Sequence, residues 1–208
     1  MSRHALIVNS LTFARVPLIF AWAVLAVLQE FRGGWALAVG ACAAMLLSGL
    51  TDLWDGRLAR KWGVVSTLGK MADPLMDKVF YLVAFPTLLW QISYQGEGAV
   101  HALAMLVFTV LYLLRDTWVT FLRSVGTLFG ADVAAMWLGK VRTALSFPGA
   151  GLVYVYLAFH RFAPESWQTP WLWSCYAIEA FLGVLTVVSF YTYTRAYAPY
   201  VMRALGCR

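Results

Sequence analysis

Four aspartates occur close together in the sequence and could hold metal ions. Asp52 and Asp55 are three residues apart, and Asp73 and Asp77 are four residues apart. Because residues at these spacings share one face of a helix, each pair points in one direction, and a short connection sets the two faces opposite each other. Converging carboxylates are hard oxygen ligands that suit Mg²⁺ or Mn²⁺. The spacing therefore predicts a site for two divalent ions, an arrangement that serves phosphoryl transfer.

Small and hydrogen-bonding residues follow the first aspartate pair. Gly56 and Ala59 keep the helix surface small beside the carboxylates, which lets a bulky ligand approach the backbone. Close packing against another membrane helix is the alternative use of such residues. Arg60 and Ser66 come next and can donate hydrogen bonds to a pyrophosphate. The region is suited to a phosphorylated ligand.

The elements that must position these residues are membrane helices. Of the 208 residues, 62% are hydrophobic and only 12% are charged, whereas about a quarter are charged in soluble domains. Apolar runs near the length of about 20 residues that crosses a bilayer recur along the chain. Helices are expected because the bilayer offers no water to satisfy backbone groups. The predicted spans are 11–28, 35–54, 71–90, 100–120, 136–159 and 171–192, with connections at 33–34, 96–98 and 164–170.

The four aspartates lie at or just inside membrane depth in this arrangement. At a helix centre each would cost about 2.5 to 3.5 kcal/mol, so the group must line a wet cavity or hold cations. Alternatively, the aspartates could form ion pairs with basic neighbours, which would explain their charges within the membrane but not their spacing. The neighbours concerned are Arg57, Arg60, Lys61, Lys70 and Lys78.

Basic residues predict the orientation of the chain in the membrane. Fourteen of the 16 Lys and Arg residues fall at the amino terminus, the second and fourth connections with their flanking helix ends, or the carboxyl tail; Arg32 and Arg161 lie on the opposite face. Under the positive-inside rule, both termini and the aspartate site are expected in the cytoplasm, at the cell's inner membrane. The net charge of +6 suits a surface of anionic lipid. A lipid bilayer is thus the expected partner, and no nucleic acid is expected.

The region around the aspartates resembles the motif of the CDP-alcohol phosphotransferases. That family carries the pattern D-x2-D-G-x2-A-R-x8-G-x3-D-x3-D, and this sequence is similar to it at every fixed position. The matching residues are Asp52, Asp55, Gly56, Ala59, Arg60, Gly69, Asp73 and Asp77. The resemblance implies an all-α integral membrane protein, a bundle of six transmembrane helices with a polar cavity opening to the cytoplasmic side. It covers one domain over residues 1–208 and implies a homodimer.

The same resemblance implies roles for individual residues. Asp52, Asp55 and Asp73 would hold the metals, while Asp77 would share one and act as general base on the acceptor hydroxyl. Contacts with the CDP part of the donor are implied for Gly56, Ala59, Arg60, Ser66 and Gly69. Asn9, Thr12 and Arg15 resemble the N-x2-T-x2-R element that precedes the first span in many members. Asn9 and Thr12 are accordingly expected at the donor site.

A second set of motifs concerns the acceptor. Residues 73–78 resemble the D-P-x-x-D-K form of phosphatidylglycerophosphate synthases, which implies CDP-diacylglycerol as donor and glycerol 3-phosphate as acceptor. Downstream residues resemble that branch's R-E, second Arg and G-K-x-K-T elements, with Asp116 in place of Glu and Arg142 in place of Lys. Arginine binds phosphate with a bidentate fork, although basic residues also snorkel to lipid phosphates. The expected acceptor-phosphate ligands are Arg115, Arg123, Lys140 and Arg142.

The sequence is also compatible with other functions. Within the family, inositol phosphate or another polar alcohol could be the acceptor, or a CDP-alcohol could donate to diacylglycerol. The basic residues disfavour diacylglycerol, because it carries no phosphate to bind. A divalent-cation transporter is a different class, since intramembrane carboxylates often mark ion paths. The carboxylates here lie at one edge of the membrane, so such a path would lack an exit. Glu179, inside the last predicted span, is expected to form a structural pair.

Overall fold

The fold is an all-helical bundle, as the sequence predicts. The computed structural model describes residues 3–64, 67–131 and 137–206, and no strand occurs within these ranges. The helices are α1 (Arg3–Arg32), α2 (Trp35–Trp62), α3 (Thr67–Gln95), α4 (Ala99–Leu128), α5 (Trp137–Phe159) and α6 (Glu165–Ala204). A single 3₁₀ turn, His160–Phe162, separates the last two.

Most of these helices are built to cross a bilayer. Five helical segments in the described part of the chain are long and apolar enough to do so: His4–Arg32, Trp35–Trp62, Pro74–Gln95, Ala99–Leu128 and Glu165–Ala204. The chain is therefore a multi-pass helical membrane protein. Helix α5, which carries Lys140 and Arg142 near its start, is not in this set. Its assignment as a sixth span stays a prediction.

The helices extend beyond the predicted spans. Helix α6 has 40 residues, and it begins at Glu165 directly after Pro164. The prediction that residues 164–170 form a connection is therefore wrong over most of that stretch. Pro170 lies near the start of α6, where neighbouring groups can satisfy the backbone that proline leaves unpaired. Apolar runs mark only the part of a helix inside lipid, so they underestimate helices that continue into the headgroup region.

The apolar core fills the half of the bundle away from the aspartates. Helix α1 packs against α2 and α3, and α6 packs against α4 and α5. Trp22, Phe85 and Tyr154, from three different helices, are among the fully buried side chains of this core. The other half, where α2 ends and α3 begins, contains cavities lined by charged residues. The bundle thus has a closely packed apolar half and a half that contains the cavities.

Glu179 and His101 link two helices within this bundle. His101 Nε2 lies 3.1 Å from Glu179 Oε1, which joins α4 to α6. The structural pairing expected for Glu179 is confirmed.

Candidate active site

The end of α2 and the start of α3 bring the aspartates together. Gly63 terminates α2 with a φ of 63°, a left-handed conformation that glycine adopts without steric cost. The chain then reverses, and α3 begins at Thr67. Asp52 and Asp55 lie on α2, and Asp73 and Asp77 lie on α3, although the side chain of Asp73 is outside the described part of the structure.

Arg15 of α1 contacts three of these aspartates. Its Nη2 lies 2.5 Å from Asp52 Oδ1 and 3.2 Å from Asp55 Oδ2, and its Nη1 lies 3.4 Å from Asp77 Oδ1. The convergence of Asp52, Asp55 and Asp77 that their spacing predicts is therefore present. The sequence offered basic neighbours as alternative partners for the aspartates, but these three ion pairs come from a helix far earlier in the chain.

The three carboxylates differ in their exposure. The side chain of Asp55 is only 5% exposed, whereas those of Asp52 and Asp77 are 50% and 45% exposed. The buried Thr12 hydroxyl lies 2.9 Å from Asp55 Oδ2 and can donate a hydrogen bond to it. Asp55 is consequently fixed within the protein, and Asp52 and Asp77 face open space.

The carboxylates of this cluster are of the chemical type that binds divalent metals. Within the described side chains, no group of three His, Cys, Asp or Glu residues is arranged to hold an ion. Three carboxylates nevertheless surround one guanidinium at 2.5 to 3.4 Å, and carboxylate oxygens are the ligands that Mg²⁺ and Mn²⁺ prefer. Asp52, Asp55 and Asp77 could thus hold such an ion together with Asp73. Metal binding stays a prediction.

The residues expected to contact the CDP group lie on the same three helices. A Cβ atom on Gly56 would lie 3.8 Å from both terminal nitrogens of Arg60, so the Arg60 guanidinium lies close to this glycine. The other described candidates are Asn9 and Thr12 on α1, Ala59 on α2 and Gly69 on α3. Ser66 lies outside the described residues. Donor contacts by these residues stay a prediction.

A basic cavity of about 1030 Å³ opens beside Asp77. Residues of α3, α4, α5 and α6 line it. The structure brings together all four residues that the sequence predicts as acceptor ligands, and it adds a fifth basic residue. The basic residues of the lining are Lys78, Arg115, Arg123, Lys140 and Arg142. The cavity therefore has the charge and size to hold a small anion.

Asp116 organises three of these cations. Its Oδ1 accepts a hydrogen bond of 3.0 Å from Arg142 Nη2 and lies 3.6 Å from Arg115 Nη1, while its Oδ2 lies 3.8 Å from Lys78 Nζ. Each arginine also lies over a tyrosine ring, Arg142 at 4.0 Å from the Tyr112 centroid and Arg115 at 4.9 Å from that of Tyr193. Cation–π contacts and the shared carboxylate thus fix both guanidinium planes.

Several buried N–H groups in this cluster have no hydrogen-bond acceptor among the described residues. Arg142 is 1% exposed and Arg115 is 5% exposed. Arg142 Nε and Nη1 and Arg115 Nε are buried without a hydrogen-bond partner among the described residues. An unsatisfied buried donor costs about 1 to 3 kcal/mol, more if it is charged. These atoms are therefore suited to an anion that supplies the missing acceptors.

A second cavity of about 430 Å³ is also lined by Asp77. Most of its lining is apolar, from Leu46, Leu50, Leu53, Phe80, Phe147 and Pro148, and its polar part includes Arg15, Ser48 and Asp52. Asp77, Tyr81, Thr143 and Ala144 line both this cavity and the basic one. Asp77 is consequently the one aspartate of the described site that borders both spaces.

Two features of the site could not be read from the motifs. Arg15 stands in a short amino-terminal pattern, but its distance of 37 residues from Asp52 gives no periodic sign of contact. Ser189 and Tyr193 of α6, which contact Arg115, belong to an ordinary apolar stretch. The sequence shows that Asp116 replaces the Glu of the R-E element. The structure adds that this aspartate lies close to three cations.

Comparison with known proteins places the chain in a family. A model of the CDP-alcohol phosphatidyltransferase family matches residues 5–194. The chain is 41% identical to a CMP-forming cardiolipin synthase of Streptomyces coelicolor over 90 residues, 40% of the chain and 38% of that protein. It is 32% identical over 132 residues to a CDP-diacylglycerol–glycerol-3-phosphate 3-phosphatidyltransferase of Mycoplasma genitalium, 60% of the chain and 51% of that protein. The enzyme of the same name from Rickettsia typhi is 29% identical over 199 residues, 91% of the chain and 97% of that protein.

Proposed function

The chain belongs to the CDP-alcohol phosphatidyltransferase family, and we propose that it transfers the phosphatidyl group of CDP-diacylglycerol to glycerol 3-phosphate and releases CMP. Relatives from Mycoplasma genitalium and Rickettsia typhi carry the name of this reaction. The first two relatives described above are matched over about two fifths and half of their own length, whereas the Rickettsia enzyme is matched over nearly all of it.

The main structural support for the proposal is that Asp77 lines both the basic cavity and the largely apolar cavity. The reaction requires a charged, water-soluble acceptor and a lipid donor to meet at one point. A basic space suits the first, and an apolar space between helices suits the second. Asp77 borders both, so the reacting groups would meet at this residue.

The basic cavity supports a phosphorylated acceptor. Arg115 and Arg142 present buried nitrogens that lack acceptors within the described structure, and a phosphate group has three oxygens that accept such bonds. Arg123 and Lys140 also line the cavity and lie nearer its surface. We assign the phosphate of glycerol 3-phosphate to these four residues. An uncharged acceptor such as diacylglycerol would leave the buried donors unsatisfied.

Asp77 would act as the general base. Its carboxylate would take the proton from the acceptor hydroxyl, whose oxygen then attacks the phosphorus that carries diacylglycerol. The bond from that phosphorus to the CMP oxygen breaks, and CMP leaves. Positioned bases contribute about 10² to 10⁴-fold to such reactions. Its half-exposed side chain and position on both cavities support this role.

The remaining aspartates would bind metal. Two Mg²⁺ or Mn²⁺ ions bound by Asp52, Asp55, Asp73 and Asp77 would neutralise the phosphate oxygens and the leaving group. The hydrogen bond from Thr12 orients Asp55, as partners of metal ligands commonly do. Gly56 leaves room beside these carboxylates, and Arg60 is placed to contact the pyrophosphate of the donor.

The orientation is inferred from the basic residues. The basic residues cluster on the side of the aspartates, and such residues favour the cytoplasmic side of a membrane. We therefore place both termini and the active site in the cytoplasm, with the protein in the inner membrane. A homodimer is proposed from the family resemblance.

A second acceptor is favoured by one comparison. The chain is 41% identical over 90 residues to a CMP-forming cardiolipin synthase. A lipid alcohol with a phosphate, such as phosphatidylglycerol, would present its phosphate to the same basic cavity, and both reactions would release CMP. The acyl chains of phosphatidylglycerol would need access to the site from the bilayer, whereas glycerol 3-phosphate would need none.

An acceptor panel tests the proposal. Purified protein in nanodiscs would receive CDP-diacylglycerol, Mg²⁺ and one acceptor at a time: glycerol 3-phosphate, inositol phosphate or phosphatidylglycerol. CDP-alcohol with diacylglycerol forms a further arm. We expect CMP release to depend on glycerol 3-phosphate alone. Preference for phosphatidylglycerol would favour the second candidate, and Mn²⁺ uptake into vesicles without CMP release would indicate a transporter instead.

A further inference from the structure

Arg15 occupies the centre of the aspartate cluster, and the proposed chemistry leaves its role there unexplained. Its two terminal nitrogens contact Asp52, Asp55 and Asp77 at 2.5, 3.2 and 3.4 Å. The Arg15 side chain is only 4% exposed. The position of this buried guanidinium is thus set by its three carboxylate partners. The arrangement is specific to α1, α2 and α3 together.

The charge balance of the cluster gives Arg15 a purpose. Carboxylates a few ångströms apart repel one another strongly, and a nearby cation offsets this repulsion. Arg15 is the described residue that supplies a positive charge to all three. Without this positive charge, and without metal, the repulsion between the carboxylates would favour their separation. Arg15 therefore keeps the carboxylates converged.

We propose that Arg15 is a positioning residue for the metal site: it serves as a built-in counter-cation that holds the three aspartates together and competes with divalent ions for their oxygens. The inference rests on the metal site of the proposed function, and it is independent of the acceptor. A divalent ion at these oxygens would be repelled by the guanidinium that already contacts them. Entry of metal therefore requires Arg15 to withdraw.

The donor lipid provides a reason for withdrawal. Arginine forms strong, often bidentate, hydrogen bonds with phosphate, so a pyrophosphate beside the cluster attracts the guanidinium away from the carboxylates. Arg15 Nε has no hydrogen-bond partner among the described residues and would be available to such a group. Metal and donor should consequently bind cooperatively, because each removes an obstacle to the other.

Metal binding without substrate tests the competition directly. Mn²⁺ affinity of purified wild type, Arg15→Gln and Arg15→Lys would be measured by electron paramagnetic resonance. We expect Arg15→Gln to bind Mn²⁺ at least about tenfold more tightly, because one positive charge is removed near the oxygens. Arg15→Lys, which keeps the charge, should stay near wild type. Arg57→Gln removes an exposed charge on α2 and should change the affinity less than about threefold. Equal or weaker binding by Arg15→Gln overturns the inference.

Cooperativity supplies a second readout. CDP-diacylglycerol should raise the Mn²⁺ affinity of wild type by a larger factor than that of Arg15→Gln. The same factor in both proteins would contradict the coupling through Arg15.

Thermal unfolding guards against loss of fold in the variant. Arg15→Gln should unfold at a lower temperature than wild type without metal, and Mn²⁺ should restore most of the difference. A loss of stability that Mn²⁺ does not restore overturns the proposed role. If neither wild type nor any variant binds Mn²⁺, the proposed metal site and the proposed metal-dependent chemistry are both wrong. If Arg15→Gln binds Mn²⁺ with the same affinity as wild type, only the proposed role of Arg15 is wrong.

Discussion

Gly139 of α5 lies so close to Tyr193 of α6 that a Cβ atom at position 139 would come within 2.8 Å of the tyrosine hydroxyl. The same Cβ atom would lie 3.3 Å from Arg115 Nη2. Tyr193 is 2% exposed and supports the Arg115 guanidinium by a cation–π contact. The absence of a side chain at position 139 thus allows Arg115 to reach the wall of the basic cavity.

Gly139→Ala should therefore impair binding of the acceptor. The added methyl group displaces Tyr193 or Arg115, and overpacking of this kind costs about 1 to 3 kcal/mol. We expect the KM for glycerol 3-phosphate to rise at least about fivefold and the KM for CDP-diacylglycerol to stay within about twofold. Gly183→Ala is the matched control, because its Cβ would lie an ordinary 3.9 Å from Phe108. Equal effects of the two substitutions on the acceptor KM would contradict the assignment.

Arg123→Ala tests the phosphate site at a less buried position. Arg123 lines the basic cavity, and loss of one phosphate contact mainly removes ground-state binding. The KM for glycerol 3-phosphate should rise about tenfold, with little change in the KM of the lipid donor. Arg195→Ala removes an exposed arginine of α6 outside this cavity and serves as control. An unchanged acceptor KM in steady-state kinetics would remove Arg123 from the acceptor site.

Asp77→Asn separates the general base from the metal ligands. The variant should keep CDP-diacylglycerol binding and most metal affinity while kcat falls by about 10² to 10⁴-fold. Asp52→Asn should lose metal-dependent donor binding as well, because the metal would help to bind the phosphates of the donor before the reaction begins. Donor binding and single-turnover rates distinguish the two. Retention of more than about a tenth of wild-type kcat by Asp77→Asn means that another group activates the hydroxyl.

Cysteine labelling in intact cells tests the orientation. Cys207 lies outside the described residues but should react with a thiol reagent only after the membrane is permeabilised, since the carboxyl terminus is expected in the cytoplasm. Cys42 and Cys175 would be replaced by alanine to isolate the signal. Ser166→Cys, exposed at the start of α6 on the opposite face, should be labelled from outside. Reversed labelling of the two positions would place the active site on the wrong side of the membrane.

The sequence predicts the helical fold and the aspartate cluster because both follow local rules. The spacing of Asp52 and Asp55 fixes them on one helical face, and apolar runs identify helices that span lipid. The acceptor motifs identify Arg115 and Arg142, which line one cavity in the structure, and their binding of phosphate stays a prediction. Each of these inferences depends on residues that are near one another in the chain.

Contacts between distant helices could not be predicted in the same way. Arg15 meets Asp77 across 62 residues, and Tyr193 supports Arg115 from another helix. Such pairs depend on how the helices pack, and packing is set by many weak contacts that leave no pattern in the sequence. The ends of the helices were missed for a related reason, since Pro170 is accommodated within α6 by its surroundings.

Product formation tests metal-dependent transfer of the phosphatidyl group to glycerol 3-phosphate. Purified protein would be incubated with CDP-diacylglycerol, Mg²⁺ and radiolabelled glycerol 3-phosphate, and the CMP and the lipid-soluble label would both be quantified. We predict equal amounts of CMP and labelled phosphatidylglycerophosphate, with both lost on addition of EDTA and recovered with excess Mg²⁺ or Mn²⁺. CMP release without transfer of label to lipid, or transfer that EDTA leaves unchanged, would contradict the account.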